Sequence, residues 1–102
     1  MGQYHQIMKN ATVDNVSAAF ADKGAKITMR PLRTDPNMIL IEGDELAFEF
    51  LGRLFLAHSK AINGCGFSLD PHGAGCALYS KESVLGLALH RLPCDDPEKW
   101  QG

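Results

Sequence analysis

No run of apolar residues in this sequence approaches the roughly 20 that a membrane-spanning helix requires, so an α-helical membrane protein is not expected. The first residues, Met1-Gly2-Gln3-Tyr4-His5-Gln6, carry neither the basic and apolar stretches of a secretory signal nor the Ser or Thr of a myristoylation site. Export and lipid anchoring are therefore not expected. Charge of one sign is also scarce. Ten Lys and Arg stand against 12 Asp and Glu, mixed along the whole chain, and leave no basic stripe to neutralise phosphates. Nucleic acid is thus an unexpected partner.

Cysteine is sparse as well, with only three, at 65, 76 and 94, irregularly spaced among apolar residues. That pattern reads as buried, reduced thiols in a cytoplasmic protein. Cys65 and Cys76 are expected to be free of metal and slow to react. No Cys-x-x-Cys or His-x-x-x-His pair occurs, so neither a metal nor another cofactor is expected. Gly64, Gly66, Gly73 and Gly75 do not form a phosphate loop, since no Gly-x-Gly-x-x-Gly leads into a helix.

What is present is ordinary globular material: 102 residues, 45% apolar and 22% charged. That suits one domain, residues 1–102, with a C-terminal tail from about residue 93. Thr12 or Asp14 can cap a short helix in which Val13, Val16, Ala19 and Phe20 recur at helical spacing, with Gly24 ending it. Lys26 to Arg30 alternates like a strand. Met38-Ile39-Leu40-Ile41 is unbroken in its apolar character, which predicts a strand buried on both faces at the centre of a sheet. Gly43 stops it, and Asp44 caps the chain's strongest helix.

Downstream, Cys65 to Asp70, Cys76 to Ser80 and Val84 to Leu92 alternate at period two and read as an antiparallel meander. A tight turn at Asp70-Pro71-His72-Gly73 would set Phe67 opposite Leu78 and Leu69 opposite Cys76. The expected fold is α+β: a mostly antiparallel sheet of four to five strands, one main helix packed on one face, and a short N-terminal helix.

Candidate sites are few. Ser68, Asp70 and His72 alternate along a strand and turn and form a polar surface cluster, but consecutive outward positions lie in a row about 7 Å apart, whereas a catalytic triad converges. No catalytic residue is assigned. His58 falls on the apolar face of the main helix with Ala47, Phe50, Leu51 and Leu54, and is read as a half-buried histidine with one hydrogen bond. On the other side, Phe48, Gly52 and Leu56 follow one another at four-residue steps and interrupt the polar stripe of Glu45, Glu49, Arg53 and Lys60. That ridge, together with Trp100, is the candidate interface. Either a segment of the same chain covers it or a protein partner does.

The stretch Ile41-Glu42-Gly43-Asp44, the helical residues Leu51, Leu54, Leu56, Ala57 and His58, and Gly66-Phe67-x-Leu69-Asp70-Pro71 resemble a family of small bacterial immunity proteins of polymorphic toxin systems. The resemblance covers about residues 39 to 91. It implies a non-enzymatic protein that binds and blocks a toxin domain, and it transfers no catalytic residue. The expected function is thus a protein-binding module, with a toxin-like partner or self-association. A small cytosolic enzyme or ligand-binding domain and a structural homodimer are the alternatives.

Overall fold

The computed structural model describes residues 12–61 and 65–93. Helix α1, Val13–Asp22, begins where the Thr12 hydroxyl accepts the Asn15 N–H at 3.1 Å, and it buries Val16 and Phe20 one turn apart. Gly24, at φ 83°, turns the chain out of the helix, a backbone state that costs a side-chain-bearing residue strain. The chain then enters the core at Ala25 and Ile27.

Strand β1, Thr28–Pro31, pairs antiparallel with β2, Ile39–Glu42, with Met29 opposite Ile41 and Pro31 opposite Ile39. The turn between them is closed by Asp35, whose carboxylate accepts the Asn37 N–H and whose carbonyl accepts the Met38 N–H. The central position expected for β2 is not observed. It is an outer strand, with Met38, Ile39 and Ile41 all exposed. The reason lies on the far side of β1. There Ile27 bridges Tyr79 in parallel, and Met29 exchanges backbone and hydroxyl bonds with Ser83, Val84 and Leu85. With that edge of β1 occupied, β2 becomes the rim.

Asp44 accepts the Ala47 N–H at 2.9 Å and opens helix α2, Glu45–Ser59. Its inner face carries Ala47, Phe50, Leu51, Leu54, Ala57 and His58. The rings of Phe20 and Phe50 meet at 5.6 Å between centroids, tilted by 47°, and pin α1 to α2.

The expected meander is replaced by a different pairing. Strand β3, Gly66–Leu69, pairs with β4, Leu87–His90, setting Phe67 opposite Leu89 and Leu69 opposite Leu87. Residues Cys76–Leu78 form a turn of 3-10 helix, entered through Gly75 at φ 92°. The chain beyond runs beside β1 and not beside β3. Leu78 and Tyr79 are consecutive and both buried, which a two-residue alternation does not allow. The protein is therefore α+β, but its described residues form two sheets of two strands each instead of one sheet of four to five.

Tyr79 ties the two sheets together. Its backbone bridges Ile27, and its buried hydroxyl donates to the Leu69 carbonyl at 2.9 Å. Burial pushes this phenol above its ordinary pKa, with the Leu87 amide pulling the other way and the Asp70 carboxylate adding to the rise. Beside it, Thr28, Ser80 and Ser83 exchange hydroxyl hydrogen bonds, and Ser83 also donates to the Ile27 carbonyl.

Candidate functional site

Among the residues singled out in the sequence, the α2 ridge is the group that the fold brings together on one surface. Successive helical residues turn by about 100°, so Phe48, Gly52 and Leu56 drift slowly around α2 on the side opposite Phe50 and Leu54. Phe48 is 49% exposed and Leu56 45%. Phe55, seven residues after Phe48, joins the same ridge at 45% exposure and was missed in the sequence reading. The i, i+7 spacing from Phe48 was the available signal. A Cβ built on Gly52 would meet nothing within 4 Å, so its own fold does not require a glycine there.

The polar flank of the ridge is ordered by Arg53, whose guanidinium meets the Glu49 carboxylate at 2.9 Å one turn earlier. Such an exposed pair contributes little to stability but fixes the border of the apolar strip. Ser59 closes the last turn by donating to the Leu56 carbonyl. Trp100, the other residue of the expected interface, lies outside the described residues.

Ser68, Asp70 and His72 are all exposed. Asp70 spends its carboxylate on the backbone N–H of His72 at 2.8 Å, which closes a turn instead of orienting an imidazole. Among the described residues, no bond from side chain to side chain joins the three. No group of three or more His, Cys, Asp or Glu able to hold a metal is found among the described residues either.

His58 is more buried than the sequence suggested, at 8% exposure, and its Nε2 has no hydrogen-bond partner among the described residues. Burial first, then the charge of Arg91 and the neighbouring His90, hold its pKa below the ordinary imidazole value. Arg91 does not bond the ring. It donates to the backbone carbonyls of His58 and Ser59, each at 3.2 Å, and so fastens the end of α2 to the end of β4.

The cysteine expectation is corrected. Cys65 is disulfide-bonded, and Cys76 is free and exposed. Cys76 lies on the 3-10 turn and not on an inward strand face, which explains its exposure. An odd total leaves a thiol over but does not prevent the others from pairing, so the inference of a reducing compartment loses its basis at Cys65. No helix among the described residues is long and apolar enough to cross a membrane.

The site thus defines a class, a small α+β protein carrying an apolar strip on the outer face of its main helix. Compared with known protein families, curated proteins and solved structures, the chain matches none.

Proposed function

We propose that this chain is a non-enzymatic protein-binding module whose contact surface is the outer face of α2, formed by Phe48, Gly52, Phe55 and Leu56. The observation that carries the reading is the half-exposure of three large apolar side chains on the side of the helix turned away from the core. Isolated exposed apolar residues are common, but aromatic and leucine side chains in one strip mark contact sites. Gly52 supports the same reading. In a helix interior it costs about 1 kcal/mol relative to alanine, and the open space around it leaves room for a partner's backbone.

The resemblance to immunity proteins supplies the partner class, a toxin domain that would be encoded next to this chain. The test is co-purification with the product of the neighbouring gene, comparing the native chain with Leu56→Glu. Loss of the complex with an unchanged circular dichroism spectrum is expected. Retention of the complex by a folded Leu56→Glu, or its loss only because the variant unfolds, removes the ridge as the contact surface.

A further inference from the structure

A second surface follows from the position of β2. Ile39 is 61% exposed and Ile41 39%, although both lie on the same sheet face as buried Met29. In an antiparallel pair, alternate residues turn their backbone groups toward the neighbour and away from it. Met29 spends its N–H on Ser83 Oγ and its carbonyl on Val84 and Leu85, and Pro31 offers its carbonyl to Arg30 and has no N–H. Both residues thus face away from β2. Their partners across the ladder, Ile41 and Ile39, must face away from β1. The amides and carbonyls of Ile39 and Ile41 therefore line an edge that is open among the described residues.

We propose that this edge pairs with β2 of a second copy of the chain, antiparallel about a twofold axis at Leu40. That centre brings Ile39 against the partner's Ile41, and Ile41 against the partner's Ile39, so every outward amide of the strand meets an outward carbonyl. A shift by one residue would oppose inward groups to outward ones. Charge selects the same direction. Glu42 is the strand's one charged residue and would stand beside its own copy in a parallel pair. Antiparallel pairing moves it to the turn end of the other strand. There Leu32 is bonded to Met38, and the next residue is the exposed Arg33.

The edge also lacks the usual guards, since no Lys, Pro or bulge interrupts Ile39 to Ile41. Four residues from each copy make a small contact, below the roughly 1,000 Å² of a stable interface. The dimer is therefore weak and depends on protein concentration. This proposal does not rest on the α2 ridge.

Sedimentation and amide hydrogen exchange of the native chain, from about 10 µM to about 1 mM, test it. Concentration-dependent association is expected, with the Ile39 and Ile41 amides slowing in exchange as the dimer forms. Ile41→Pro removes an N–H that has no partner among the described residues, at an edge position where proline is tolerated, and should weaken association by about tenfold or more. If circular dichroism finds Ile41→Pro unfolded, Ile39→Lys replaces it with the same expectation. The proposal is overturned if the native chain stays monomeric at about 1 mM. It is equally overturned by folded β2 variants that associate as the native chain does, or by association that Leu56→Glu abolishes and they do not.

Discussion

A histidine whose Nε2 is buried without a partner among the described residues sets a pH limit on this fold. The His58 pKa is lowered from 6.5 in the folded chain, so below that pH the unfolded chain takes up a proton that the folded chain resists. Stability should be full above about pH 6.5, fall as the pH drops toward the folded value, and level off beneath it. Urea midpoints between about pH 5 and pH 8 measure this slope, and His58→Leu should flatten it. At neutral pH the same variant should be neutral or stabilising by up to about 1 kcal/mol, because it removes an unbonded polar atom. A slope that survives the substitution would move the effect to another group. The inward position of His58 was legible from its place on the helical wheel; its missing bond was not, since that depends on what β4 brings near it. The thiols give a second outcome. Native labelling should modify Cys76 readily and leave Cys65 unmodified until a reductant is added. Equal labelling of both without reductant would contradict the disulfide.

Among the elements, helices were legible and strand partners were not. A cap such as Thr12 or Asp44 acts on residues two or three positions ahead, so its signal is local and survives whatever the rest of the chain does. Asp44→Ala should accordingly cost about 1 kcal/mol in thermal or urea unfolding. Strand pairing is decided by competition between distant segments. The period-two run from Cys76 to Ser80 was compatible with a strand beside β3, but Gly75 commits the chain to a left-handed turn and then to 3-10 helix. A Cβ on Gly75 would fall 2.5 Å from a Leu69 methyl carbon, in addition to the strain of its positive φ. Gly75→Ala should therefore destabilise by about 1–3 kcal/mol. A loss of only a few tenths would mean that this turn is not held as described. The ridge on α2 was readable because its residues are neighbours on one helix. The β2 edge was not, because an apolar run looks the same at the centre of a sheet as at its rim.

At the scale of the whole molecule, β1 and β2 form a local hairpin, β3 and β4 pair across the connection of residues 70–86, and the two sheets are joined through one region. Ile27 and Tyr79 form the backbone bridge, and next to them Thr28 and Ser80 join hydroxyls across 52 residues of sequence. Tyr79→Phe leaves the bridge in place but removes a buried hydroxyl bond to the Leu69 carbonyl, and should cost about 1 kcal/mol. The consequence is kinetic. Contacts between residues close in sequence form early because little loop entropy opposes them, whereas a clasp that closes a long loop tends to form late. A bond absent from the transition state slows unfolding without speeding folding. In stopped-flow experiments Ser80→Ala, which removes the hydroxyl partner of Thr28 across 52 residues, should therefore raise the unfolding rate by most of its stability loss and leave the refolding rate nearly unchanged. The paired hydroxyls of Thr28 and Ser80 would then act as a brake on opening, setting how long the folded chain persists and not how fast it is reached.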